Sequence, residues 1–360
     1  MNFTVKKEDL LPKLQYTASV VGSKNVMPVL GSLLFDVKNN ILVITATNLA
    51  QAVQCAVEVD SDSDGKFTVP AKRILALLNT MPDNADITFD VEDGKVKVTC
   101  GASNFLLFTL PANDFPFEYP DVLKKTACTI SQGDVQRIIA LCKNAISKDD
   151  SRLLLTGLLL DYNEGGLTAC STDGKRMTIV ESLSTSKEPC QAVIPAVVLP
   201  LLAKLSGEEI ELYFDTQNIV VKAENMCIVS KLIFGKYPNY KSVVPQSFAY
   251  NFSFDTFELQ SAVRQIAILA DAEQSVELRF EQGKVTVSTE DSSVGSGAVS
   301  VLGECFADKD IVVRLNPKYL LDAISGCPER INIKLNNELM PIFVEHGENA
   351  YTILMPIRAR

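Results

Sequence analysis

A chain of 360 residues with 47% apolar side chains is long enough for two or three domains, each able to build its own core. Its net charge of −10 excludes a protein that holds nucleic acid by bulk positive charge. Its nine cysteines are scattered without a Cys-x-x-Cys pair, which argues for reduced thiols rather than a disulfide or zinc framework.

In chain order, the first elements are a strand at Phe3-Thr4-Val5 and a helix over 6–21, with Leu10, Leu11, Leu14, Ala18 and Val21 at helical spacing. Pro12 is expected in its first turn, where a missing donor costs little. Ala46-Thr47-Asn48 follows, then an apolar strand, Pro70 and a shorter helix over 70–81 carrying Ile74, Leu75 and Leu78. Asp93-Gly94 supplies a hairpin turn into the alternating strand that begins at Lys95. A linker is expected near 117–127.

The same order then returns. Cys128-Thr129-Ile130 opens a helix over 131–148, Gly165-Gly166 makes a turn, and Ser171-Thr172-Asp173 precedes a helix over 195–206 that Pro200 should shorten or kink. A linker near 241–250 leads to Phe252-Ser253-Phe254, a helix over 255–270, a turn at Gln282-Gly283, Ser288-Thr289-Glu290 and a last helix over 316–327. One pattern therefore occurs three times, about 120 residues apart, and sets the architecture before any local detail. Each unit is α+β, with two helices on one side of antiparallel sheets. The expected domains are 1–121, 122–246 and 247–360.

Charge is not spread evenly. The six predicted helices sum to +5, which leaves −15 on the rest of the −10 chain. The helices are the basic part of an acidic protein.

Catalytic signatures are missing. The single histidine, His346, stands beside Gly347 and is expected to be an exposed loop residue. There is no phosphate-binding Gly-x-x-x-x-Gly-Lys-Ser/Thr loop, no Gly-x-Ser-x-Gly elbow and no ligand set for a metal, so no cofactor is implied. The chain has no stretch of about 20 apolar residues and begins with charged residues at Lys6, Lys7, Glu8 and Asp9, so a cytoplasmic protein is expected. On the repeats alone, a cytoplasmic interaction scaffold that never meets DNA competes with a DNA-associated role.

Several segments then narrow the choice: Met27-Pro28-Val29-Leu30-Gly31, Val69-Pro70-Ala71-Lys72, Thr109-Leu110-Pro111-Ala112 with Asp114-Phe115-Pro116, Thr172-Asp173-Gly174-Lys175-Arg176, Ser230-Lys231-Leu232 with Tyr237-Pro238-Asn239-Tyr240, and Met355-Pro356-Ile357-Arg358. In order and spacing these resemble the bacterial sliding clamps, the β subunits of DNA polymerase III. The resemblance implies a non-enzymatic head-to-tail dimer of three-domain subunits. It closes as a ring around duplex DNA and tethers the replicative polymerase, the clamp loader and other replication and repair proteins through short peptide motifs. It also implies a partner-peptide pocket at Leu155, Thr172, Gly174, Lys175, Arg176, Met177, Pro238, Val243, Leu339, Pro341, Ile353, Met355, Pro356, Ile357 and Arg358, flanked by Tyr319. Ser242 stands where many relatives carry Arg.

DNA-contacting positions implied by the resemblance and by the basic helices are Lys24, Arg152, Lys72, Arg73, Arg137 and Lys143. Leu153 and Leu154 replace an aromatic pair of better-known members, and Ala196 and Val197 replace basic residues, which weakens or redistributes that contact. At the dimer seam the matching apolar positions are Phe105 and Leu107 against Ile268 and Leu269, while Ser292, Ser293 and Gly295 imply few charge pairs there.

Overall fold

The computed structural model describes every residue except Asn25, 123–126, 164–165, 185–188, 246, 271–274, 290–294, 308 and 358–360. Among the described residues, six α-helices form: α1 (Lys7–Ala18), α2 (Ala71–Thr80), α3 (Gln132–Cys142), α4 (Leu199–Leu202), α5 (Thr256–Ala267) and α6 (Pro317–Ile324). All six predicted helices are present and all are shorter than predicted.

The reasons are local. In α1, Pro12 lies in the second turn, not the first; it cannot donate to the Glu8 carbonyl, and both residues are exposed, so water can take the bond. Pro200 cannot donate to the Ala196 carbonyl, so 196–198 winds as a 3-10 turn and α4 keeps a single turn. α3 ends at Cys142 and a 3-10 turn, Lys143–Ala145, follows. Asn316 caps α6 by accepting from the Lys318 and Tyr319 amides, with Pro317 at its first position.

The chain divides into two compact units, Met1–Gln132 with Val197–Leu232, and Gly133–Ala196 with Ile233–Arg360. The middle repeat therefore contributes to both. The first unit holds two antiparallel sheets. One runs Asp60–Ser61, Asn2–Lys6, Asp86–Glu92, Lys95–Cys100, Ser103–Phe108. The other has eight strands, in which Gln51–Glu58 pairs with Met226–Lys231. α1 lies against Ile41–Thr47, Gln51–Glu58 and α2. In this unit four phenylalanines meet: Phe3 stacks on Phe89 at 4.8 Å, and Phe35 meets Phe67 edge-on at 5.2 Å.

In the second unit one antiparallel sheet of twelve strands carries four strands of the middle repeat and eight of the third. The join is Arg176–Ser182 against Ala350–Leu354, with Arg176 opposite Leu354 and Met177 opposite Ile353. α5 and α6 pack on each other over a core in which Phe252 stacks on Phe280 at 4.7 Å. Phe3 and Phe252, the openings of repeats one and three, are both fully buried.

His346 is not an exposed loop residue. It is 7% exposed, with Nε2 2.7 Å from Thr352 Oγ1 and Nδ1 3.5 Å from Cys327 Sγ. Gly326 makes the room: a Cβ there would stand 3.1 Å from Nδ1. Burial pulls the imidazole pKa down to about 4. The nine cysteines are thiols, and seven are buried. Burial pushes the Cys142 and Cys327 thiols up to about 12 and those of Cys227 and Cys305 to about 11.

Candidate functional site

The polar sequence 172–176 folds as a tight turn between the strands Gly166–Thr172 and Arg176–Ser182. Its own side chains close it. Thr172 Oγ1 donates to the Arg176 carbonyl at 2.6 Å and accepts from the Gly174 amide at 3.0 Å. Asp173 Oδ1 accepts from the amides of Lys175 and Arg176 at 2.9 and 3.0 Å. Gly174 has φ +86°, a backbone position that side chains disfavour.

The turn fixes Arg176. Its guanidinium is buried, gives Nε to Asp173 Oδ2 at 3.1 Å and Nη1 to Asp322 Oδ2 at 2.6 Å, and lies 4.2 Å over the Tyr319 ring. Two carboxylates and an aromatic face hold one buried cation, which satisfies its charge and leaves its aliphatic stem for packing.

Two more segments complete a groove. The Lys175 carbonyl accepts from the Met355 amide at 3.0 Å, so the strand Ala350–Leu354 and the residues after it are tied to the turn. The 237–240 segment brings Tyr237, Pro238, Asn239 and Tyr240 opposite. Tyr240 donates to Asp161 Oδ2 at 2.7 Å, and burial, followed by that carboxylate, raises its phenol pKa. The result is a cavity of about 230 Å³ lined by Leu155, Thr172, Gly174, Arg176, Met177, Tyr237, Pro238, Asn239, Tyr240, Val243, Ile353 and Met355. Met177 and Ile353 form a buried apolar floor; Val243 and Met355, the latter 45% exposed, form an open rim. Such a site offers apolar anchoring with a few fixed polar groups and no nucleophile–base pair.

Nine of the expected pocket residues line this cavity. Lys175 contributes its backbone, and Tyr319 lies beneath Arg176. Leu339, Pro341, Pro356 and Ile357 are not in its wall; Ile357 instead donates to the Arg314 carbonyl at 2.8 Å. Arg358 lies outside the described residues. Sequence reasoning missed Tyr237, Asn239, Tyr240 and Asp322. The first three stand in a segment already singled out, and Asp322 sits three residues after Tyr319 on the same helical face.

Among the basic residues expected at DNA, Lys72 and Arg73 are exposed on the first turn of α2, without an ion pair to any described residue. Lys24 and Lys143 are exposed. Arg137 and Arg152 are already engaged: Arg137 bonds the Glu348 carbonyl, and Arg152 pairs with Asp149 at 3.2 Å. Leu153 and Val197 are exposed.

At the expected seam, Ser103–Phe108 is the outer strand of its sheet. Phe105 and Leu107 are half-buried on one face, and Leu106 and Phe108 (77% exposed) project from the other. In the second unit, Ile268 is 77% exposed, and Leu269 packs at Gly297, where a Cβ would meet its Cδ1 at 2.9 Å. Ser292 and Ser293 lie outside the described residues. Among the described residues no cluster of His, Cys, Asp and Glu is arranged to hold a metal, and no helix is long and apolar enough to cross a membrane.

Comparison with known proteins follows the same three-part division. The N-terminal, central and C-terminal domain families of the DNA polymerase III beta subunit match residues 1–120, 129–239 and 241–358, in that order. The beta sliding clamp of Pseudomonas aeruginosa is 29% identical over 371 residues, covering 99% of this chain and 100% of that one. That of Vibrio cholerae is 27% identical over 367 residues, with 99% and 100% covered. A crystal structure of the Pseudomonas aeruginosa clamp bound to griselimycin superposes with a TM-score of 0.93 at 28% identity, covering 100% of both chains.

Proposed function

The chain belongs to the DNA polymerase III beta-subunit family, and from that premise we propose that the 230 Å³ groove is where short peptides of its replication partners dock. The protein is a sliding clamp, a processivity factor of DNA polymerase III with three clamp domains, and not an enzyme. DNA and the polymerase are its partners.

The observation that carries the groove is the Arg176 clamp. A buried guanidinium held by two carboxylates and a ring fixes the turn that makes one wall. The apolar floor beside it supplies the anchoring energy. Peptides with a Gln and a Leu/Phe-type anchor pair fit a wall of fixed polar groups over an apolar floor. So small a footprint implies micromolar affinity, on the order of −8 kcal/mol. The polymerase, the clamp loader and other replication and repair proteins would share it.

The ring is read from the edges. Ser103–Phe108, the outer strand of its sheet, and residues 297–302, paired on one side only, are different surfaces, so contact between two subunits is heterologous, and a head-to-tail dimer closes it. We place the domain boundaries at 1–121, 122–246 and 247–360, on the period of the repeats. DNA is held by enclosure rather than sequence, with Lys24, Lys72, Arg73 and Lys143 offering weak phosphate contact.

Calorimetry with a polymerase-derived peptide tests the groove. Deleting residues 355–360 removes the Met355 rim and should abolish binding while the dimer survives. Unchanged affinity after the deletion would place the peptide site elsewhere.

A further inference from the structure

The first unit carries a second groove built on the same plan. Its turn, 47–51, repeats the hydrogen bonds of 172–176 one for one. Thr47 Oγ1 donates to the Gln51 carbonyl at 2.8 Å and accepts from the Leu49 amide at 3.1 Å. Asn48 Oδ1 accepts from the amides of Ala50 and Gln51 at 3.1 and 2.8 Å. The Ala50 carbonyl accepts from the Lys231 amide at 3.0 Å, as Lys175 does from Met355. Across the sheet, Gln51 stands opposite Ser230 as Arg176 stands opposite Leu354. The proline-containing segment 116–120 takes the place of 237–240. Together they enclose about 320 Å³.

The lining chemistry differs at several positions, and Gln51 takes the place of the Arg176 cation. Ala52 occupies the position of Met177, so the floor carries a smaller side chain. Leu49 replaces Gly174 in the same left-handed backbone, φ +73°, which presents a half-exposed apolar side chain at the rim. A leucine held in that conformation is the kind of strain that persists at binding sites. Lys231 replaces Met355 and has no carboxylate of the described residues within ion-pair distance.

We propose that this groove is a second peptide site, for an extended segment of a partner protein that pairs an apolar anchor with an adjacent carboxylate. The anchor lies against Leu49 and the Phe117–Tyr119 ring pair, whose centroids are 5.2 Å apart. The carboxylate meets Lys231. Glu118, on the same lining, disfavours a second acidic residue and sets the direction of the chain. This goes beyond the reading of the first groove, and its test is separable from it.

The test uses the full-length chain and two photoreactive pentapeptides, N-acetylated and C-amidated: Gly-Glu-photoleucine-Phe-Gly and its Lys counterpart. After irradiation at millimolar peptide, adducts are mapped by mass spectrometry. The Glu peptide should label segments 47–52 and 116–120 at least about fivefold more than the Lys peptide, which is about 1 kcal/mol. Lys231→Glu, on an exposed side chain, should reverse that preference with an unchanged melting temperature. Absence of adducts in both segments, or a preference that ignores Lys231→Glu, overturns the proposal. Labelling of 172–177 and 353–355 reports on the first groove alone.

Discussion

Arg176 and Asp322, 146 positions apart in the chain, meet at 2.6 Å, and that contact joins the turn of the middle repeat to a helix of the third. The guanidinium is almost fully buried and the carboxylate only partly so. Removing the cation leaves two carboxylates facing each other with water able to reach them. Arg176→Ala should therefore destabilise by about 2–3 kcal/mol, below the range for a fully buried pair. Peptide affinity should fall at least about tenfold. Arg176→Lys should lie between, because ammonium keeps the charge but not the planar fork. Urea titration and calorimetry check both, and full peptide affinity in Arg176→Ala would show that the turn holds its shape unaided.

His346 gives a pH dependence. Its pKa is about 4 folded, against an ordinary value near 6.5, so between those pH values the unfolded chain binds the extra proton. Its contribution is complete above about pH 6.5 and is lost as pH falls toward 4, on the order of 3 kcal/mol in all. His346→Gln should flatten the fall of melting temperature between pH 7 and pH 4.5, whatever it does to stability at neutrality. An equally steep fall in the variant would remove His346 as the cause.

The dimer should depend on side chains that are exposed in one subunit. Ile268→Lys or Phe108→Glu should shift sedimentation from near 79 kDa, twice 39.3 kDa, to the 39.3 kDa monomer at micromolar concentration. Leu269→Lys is a poorer probe, because Leu269 also packs at Gly297 within its own unit. A monomeric wild type would contradict the ring.

DNA contact should be weak and salt-dependent. Reversing Lys72 and Arg73 together should lower affinity for linear duplex and reduce the salt slope by about 2, near 0.9 for each phosphate no longer neutralised. Arg137→Glu should do less, since that guanidinium is already bonded to the Glu348 carbonyl. Equal effects from both variants would mean that Arg137 leaves its partner when DNA is present.

The triplets at Phe3 and Phe252 announced the repeats, and Pro70 marked a helix start, because backbone sterics act over a few residues. What could not be read was which strand edges would meet: Gln51–Glu58 with Met226–Lys231, and Arg176–Ser182 with Ala350–Leu354, join residues more than 160 apart. Asp322 and the tyrosines of 237–240 take their roles only once those edges pair. His346 misled because a polar residue beside a glycine reads as loop. Its burial depends on the missing Cβ of Gly326, twenty positions earlier.

The shielded thiols have a practical consequence for watching this molecule move. A thiol whose pKa is about 12 is ionised to roughly one part in 10⁵ at pH 7, and one near 11 to roughly one part in 10⁴. A cysteine newly placed on the exposed rim, at Val243 or Lys231, would ionise to a few per cent at the same pH. Maleimide dyes should select it over Cys142, Cys227, Cys305 and Cys327 by a factor of hundreds or more in rate. Fluorescent reporters for either groove can then be attached without first stripping those four native cysteines from the sequence.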